Sequence, residues 1–173
     1  IEKSIEFLRI KGIAKATKRM GRTAAEGLVC IYESKNKFSM IEINSETDFV
    51  AKNSEFINFA EEVSHLALEV SGKIEDILKS KMKNKKNVEQ NLFDLVSKIG
   101  EKITIRKSAC FSNDKLLNFS YTHASIKKNI GKIGVLLSVE TQKNKHDVMN
   151  LGKQLAMQIA SSTPLAIDKE GLD

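Results

Sequence analysis

The sequence predicts an α+β fold with antiparallel strand pairing. Three observations carry this. Apolar-rich β-runs come in neighbouring pairs joined by short polar turns. Runs with helical spacing stand apart from them instead of alternating with single strands. The resulting order is helix, two strands, two helices, two or three strands, helix.

Residues 1–20 read as a helix, with Ile1, Ile5, Phe7 and Leu8 on an apolar stripe that Gly12 interrupts. "GRTAAEG" (21–27) follows as a polar, glycine-flanked connection. "LVCIYES" (28–34) and "FSMIEIN" (38–44) read as two strands of a hairpin across Lys35-Asn36-Lys37. Phe56, Phe59, Ala60, Val63, Leu66, Ala67 and Val70 then recur at helical spacing, with Asn53 or Ser54 as N-cap and Gly72 at the stop. A lysine-rich stretch separates this helix from a second one carrying Val88, Leu92, Leu95, Val96 and Ile99, stopped at Gly100. "ITIRKSACFS" (103–112) alternates as a strand should, Ser112–Lys115 reads as a turn, and "LLNFSYTH" (116–123) as its partner strand. "GKIGVLLSVE" (131–140) predicts a further strand. The last helix carries Val148, Leu151, Leu155 and Ile159, and the single proline, Pro164, helps to stop it. The chain shows no repeat of 20 to 50 residues and no low-complexity linker.

Composition narrows the class. At 173 residues, 41% hydrophobic and 29% charged, the chain suits one ordinary domain or two small ones around a buried core. No apolar run approaches the ~18 residues of a membrane span. The sequence starts at Ile1, inside an amphipathic pattern, and so reads as a piece of a longer chain. A net charge of +6 favours an anionic partner. The excess gathers in Lys11, Lys15, Lys18, Arg19 and Arg22, and again in Lys79, Lys81, Lys83, Lys85 and Lys86. Neither cluster holds an aromatic residue that could stack on bases, so solvated basic faces are expected and nucleic acid is not. Cys30 and Cys110 lie in strand-like runs without metal or disulfide spacing. Reduced core thiols are the expectation, which suits a cytosolic-type compartment.

Little resembles catalytic machinery. His65, His123 and His146 share no zinc spacing with each other or with a cysteine or acid. His65, at the edge of its helix stripe, reads as a structural histidine, and His146 as exposed. No phosphate loop, dinucleotide fingerprint or nucleophile elbow is present, and the Gly131-Lys132-Ile133-Gly134 stretch is too short for one. No enzymatic activity and no cofactor are expected.

Binding remains, and it turns on "EINSETDFVAKNSEF" (42–56), where Thr47, Asp48 and Phe49 connect a strand to a helix. In one reading Thr47 or Asp48 caps the coming helix and Phe49 packs against it as a hydrophobic staple. In the other, Asn53 or Ser54 takes the cap and Phe49 stays exposed. Burial of such a Phe in a partner could yield ~1.5–3 kcal/mol. The residues leave both readings open.

A family resemblance weighs on this choice. "AAEGLV" (24–29), "INSETDFVAKN" (43–53), "GEKITIR" (100–106), "SYTH" (120–123), "GKIGVLL" (131–137) and "LAMQIASSTP" (155–164) resemble, in order, the blocks of the elongation factor Ts family. The resemblance implies two α+β subdomains, each a small antiparallel sheet packed with helices. On this chain they would span 22–112 and 113–173 (the second incomplete), after the end of an N-terminal helical domain and linker at 1–21. It implies a guanine-nucleotide exchange factor for elongation factor Tu in translation elongation. The family's Phe, matched by Phe49, wedges between two helices of the partner's GTPase domain and disturbs its Mg²⁺ and phosphate region. Thr47, Asp48, Phe49 and Val50 are the implied contacts there, and His123 the implied contact to another domain. A homodimer is also implied as possible, and a bacterial cytoplasm, or alternatively an organellar matrix, as the location. Gln158 stands where the family often has His. Two other readings compete: a basic RNA-associated translation module, and a purely structural oligomerisation domain.

Overall fold

The computed structural model describes residues 18–19, 21–113 and 115–171. Its first half comprises β1 (Glu26–Ser34), β2 (Lys37–Ser45), α1 (Asp48–Ala51), α2 (Ser54–Glu69), α3 (Ile74–Lys79) and α4 (Val88–Ile99). The second half comprises β3 (Ile103–Phe111), β4 (Leu117–His123), β5 (Ile130–Gly131), β6 (Ile133–Val139) and α5 (Lys145–Ser162), with a 3-10 turn at Lys169–Gly171. The helix read across residues 1–20 lies outside the described residues, apart from Lys18 and Arg19, which are helical. So does Asp114 in the expected turn.

The fold is α+β with antiparallel pairing, in two subdomains that each pack a small sheet with helices. In the first, β1 and β2 form the expected hairpin, in register from Glu26↔Ser45 to Ser34↔Lys37. The turn keeps only Lys35 and Asn36, and Lys35 adopts a φ of 57°, as a tight hairpin requires. β3 lies antiparallel along β2 and β5 along the other edge of β1, giving the order β3-β2-β1-β5. Alternation sends Leu28, Cys30, Ile41 and Ile43 to one face, where they pack on Phe56, Ala60 and Val63 of α2 and Val88 and Val96 of α4. Asn53 caps α2 by accepting from the amides of Glu55 and Phe56. A capping box between Asn87 and Gln90 starts α4, and Gly100 ends it in the left-handed region at φ 89°.

α3 sits within the lysine-rich stretch that sequence periodicity left as a connection. Its apolar anchor is Ile77, with no exposed surface.

The second subdomain pairs β4 with β6, from Leu117↔Val139 to His123↔Ile133, and lays α5 across them. α5 packs through Val148, Gly152, Ala156 and Ala160, each buried, whereas Leu151 and Leu155 are 53% and 41% exposed. The buried stripe is thus offset by one residue from the leucine stripe that the sequence suggests. Small residues win because the helix lies directly on the Phe119 ring; a Cβ on Gly152 would come within 2.6 Å of it.

The predicted strand over 131–140 is also divided. Gly131 ends β5 in the first sheet, Lys132 breaks the run, and β6 begins at Ile133 in the second. The handover is tight: Lys132 donates its amide to the His123 carbonyl at 3.0 Å, and a Cβ on Gly131 would lie 2.4 Å from that same oxygen. Beyond it, Gly134 lets β6 approach Val29 and Met40 on the back of the first sheet.

Candidate functional site

The connection from β2 to α2 is braced on three sides. Below it, Val50 and Ala51 are buried in the first core. Behind it, Ser45 is buried and donates its hydroxyl to the Thr47 carbonyl at 2.9 Å. Beside it, the loop after α4 meets residues 46–47: Glu101 accepts from the Thr47 amide at 3.0 Å and from the Thr47 hydroxyl at 2.8 Å. Glu46 in turn accepts from the Lys102 amide at 2.6 Å.

This geometry separates the two readings of the segment. Thr47 occupies the N-cap position of the single turn α1 but makes no capping bond with its side chain. Asn53 caps α2. Phe49 is 78% exposed and staples nothing. Asp48, half-exposed, forms an ion pair with Lys52 at 3.1 Å. Of the four candidate residues in this segment, Asp48 and Phe49 face outward, Thr47 is held sideways by Glu101, and Val50 points into the core.

The structure places His123 at the exposed end of β4, its Nδ1 3.2 Å from the Tyr121 hydroxyl. Contacts tie it toward the same end of the first sheet. Its carbonyl holds the Lys132 amide, and Lys132 Nζ reaches Glu26 at 2.6 Å; Glu26 pairs with Ser45, two residues before Thr47.

Other candidates are accounted for by structure. His65 packs on the Tyr32 ring with centroids 4.5 Å apart and lies 3.5 Å from Glu69; His146 is exposed. Both cysteines are free thiols. Burial pushes the Cys30 thiol up to about 11, against a smaller opposing effect from its hydrogen bond to Ser64. Burial also raises Cys110. Thiols held protonated in this way are poor nucleophiles and poor metal ligands. Among the described residues no group of three or more His, Cys, Asp or Glu could hold a metal ion, and no helix is long and apolar enough to cross a membrane. A cleft of about 1060 Å³ lies between α2 and the β1–β5 edge, away from Phe49, and mixes Glu61, Glu62 and Glu69 with Lys81, Lys83 and Lys127.

The basic clusters divide. Lys11 and Lys15 fall outside the described residues, whereas Arg19 donates to the Val96 carbonyl and Arg22 sits 3.4 Å from Glu46. In the second cluster Lys86 pairs with Asp94 at 2.7 Å. Sequence reasoning missed Glu101 and the Glu46–Lys102 contact. The partners are more than 50 positions apart, and no local pattern marks them.

Fold and site together define an α+β protein that holds one aromatic side chain out in solvent on a braced tip. The family model described as "Elongation factor TS" matches residues 46–173. Over the whole chain, the elongation factor Ts of Gluconobacter oxydans is 39% identical, that of Methylorubrum populi 40% and that of Bartonella quintana 42%; the chain covers 57% of the length of each. The chain belongs to the elongation factor Ts family.

Proposed function

We propose that this chain acts as the core of a guanine-nucleotide exchange factor for elongation factor Tu during translation elongation, in a bacterial cytoplasm. It does no covalent chemistry. The observation that carries the reading is the exposure of Phe49, 78%, on a segment whose neighbours Val50 and Ala51 are 6% and 0% exposed. A flexible loop would lose much of its binding energy to ordering; a braced anchor loses little.

In this reading Phe49 enters an apolar slot between two helices of the partner's GTPase domain, with Asp48 beside it. The insertion displaces the groups that hold Mg²⁺ and the nucleotide phosphates, and GDP leaves. Val50 and Thr47 serve by seating the tip. His123, on the second subdomain, contacts another domain of the same partner, so the division near residues 112–113 separates two contact regions. A homodimer is compatible with this arrangement. Linkage fixes the thermodynamics: whatever factor weakens GDP binding is the factor by which GDP weakens binding of this chain.

The test times the release of fluorescent GDP from elongation factor Tu at saturating concentrations of this chain. Phe49→Ala should slow the maximal release rate by about ten- to a hundredfold, the equivalent of losing ~1.5–3 kcal/mol of apolar contact as the nucleotide departs. An unchanged maximal rate would sink the wedge mechanism.

A further inference from the structure

We propose that Glu101 is a positioning residue for nucleotide exchange: its carboxylate clamps Thr47 and so fixes the direction in which Phe49 is presented. The inference rests on the exchange reading above and adds the residue that makes the tip stiff.

Both carboxylate oxygens of Glu101 are used on one residue. Oε2 accepts from the Thr47 backbone at 3.0 Å and Oε1 from its hydroxyl at 2.8 Å. Two charge-assisted bonds to one residue fix orientation as well as distance. Thr47 is the residue immediately before α1, so its backbone direction sets where the single turn begins and where Phe49 points. A four-residue helix has too few internal bonds to define its own axis. The direction must come from outside.

Glu101 can supply it because its own position is set from both sides. Gly100, in the left-handed region, ends α4 with its amide on the Val96 carbonyl, and Ile103, fully buried, begins β3 two residues after Glu101. The clamp is also reciprocal. Glu46, immediately before Thr47, accepts from the amide of Lys102, immediately after Glu101. Each loop gives a carboxylate to the other's backbone, so a twist of residues 46–47 must strain both contacts. Glu101 is itself partly buried and spends both carboxylate oxygens on Thr47, so its effect passes through Thr47.

A merely structural Glu101 would alter stability alone; a positioning Glu101 alters the maximal rate while the fold persists. The experiment measures fluorescent GDP release from elongation factor Tu across concentrations of wild type, Phe49→Ala, Glu101→Ala, Glu101→Gln and Thr47→Val, well below each melting temperature. Glu101→Ala should lower the maximal rate by about tenfold, because small misplacement of a positioned group is costly. Its half-saturating concentration should change by less than about threefold, since a partner contact is misdirected and not removed. Glu101→Gln keeps one acceptor and should recover part of the rate; Thr47→Val keeps the amide and should fall between. Hydrogen exchange supplies a readout independent of the partner: the Thr47 amide should exchange at least about tenfold faster in Glu101→Ala. Wild-type release with a slow Phe49→Ala, but a normal maximal rate in Glu101→Ala or, should that variant not fold, in both milder variants, overturns the positioning role and leaves the exchange reading intact. Failure of wild type to accelerate release overturns both.

Discussion

The two subdomains solve the same problem with different resources. The first buries Ile41, Ile43, Phe56, Ile77, Val88 and Ile103 in one continuous core beneath a four-stranded sheet. The second has two paired strands and one helix, and its own buried cluster is Val135, Ala156 and Ala160, with Tyr121 and Ile159 partly covered. A two-stranded unit is marginal by itself. It borrows stability from the first instead. Gly134 brings β6 onto Val29 and Met40, and the Asn36 side chain reaches from the β1–β2 turn to the Leu116 carbonyl and the Asn118 amide. Asn118, itself 1% exposed, returns a bond to the Asn36 carbonyl and accepts one from the Ser138 hydroxyl. The difference teaches where rigidity is concentrated: the aromatic tip grows from the subdomain with the deep core.

The largest effect should come from that core. Phe56→Ala removes a fully buried ring and should cost ~3–5 kcal/mol in a denaturant titration. Leu155→Ala on α5, where the side chain is 41% exposed, should cost less than about 1 kcal/mol. Equal losses would abolish the contrast between the subdomains.

Alkaline pH probes the same core through Cys30. Burial holds its thiol near 11, above its ordinary value of 9.0. The folded chain therefore keeps the proton more tightly than the unfolded chain. This contribution is fully present below pH 9 and lost as pH rises from 9 to 11. At 1.36 kcal/mol per unit the loss approaches ~2–3 kcal/mol. Stability profiles of wild type and Cys30→Ala should converge by that amount across this window. Parallel profiles would show that the thiol titrates normally.

Much of this architecture is legible in sequence, for identifiable reasons. The hairpin and the helices α2 and α4 announce themselves because large apolar residues repeat at the period of the element and Gly100 marks a stop. α3 is too short for periodicity, and a single buried residue, Ile77, holds it within a charged stretch. The packing face of α5 is disguised because glycine and alanine pack while the leucines flank. For the tip, the sequence leaves exposure and stapling both open, and the structure decides for exposure because Asn53 takes the cap. Glu101 left no trace, since a contact across 54 positions has no local signature.

The junction between the subdomains offers a smaller perturbation. A Cβ on Gly134 would sit 2.6 Å from Val29 Cγ1 and 2.7 Å from Met40 Sδ. The methionine can yield, but the β-branched valine cannot. Gly134→Ala should therefore cost ~1–3 kcal/mol through overpacking. Hydrogen exchange should accelerate first in β4 and β6, with β1–β3 still protected. Uniform acceleration would mean that the two subdomains unfold as one cooperative unit.

The smallest stability effect belongs to His123, and it tests whether the two subdomains differ in their proposed roles. The side chain is exposed at the end of β4, and its hydrogen bond is to Tyr121, two residues away on the same strand. The bond that matters to the fold uses the His123 carbonyl, which any residue supplies. His123→Ala should accordingly change the melt by no more than ~0.5 kcal/mol. If the second subdomain contributes affinity and the first supplies the wedge, this variant should raise the half-saturating concentration for GDP release while the maximal rate stays near wild type. Phe49→Ala should do the reverse. Combined, the two changes should then add in free energy, because in the proposed reading they act on separate contacts borne by separate subdomains. A fall in maximal rate for His123→Ala with unchanged half-saturation would place the histidine in the exchange step itself and erase the division of labour.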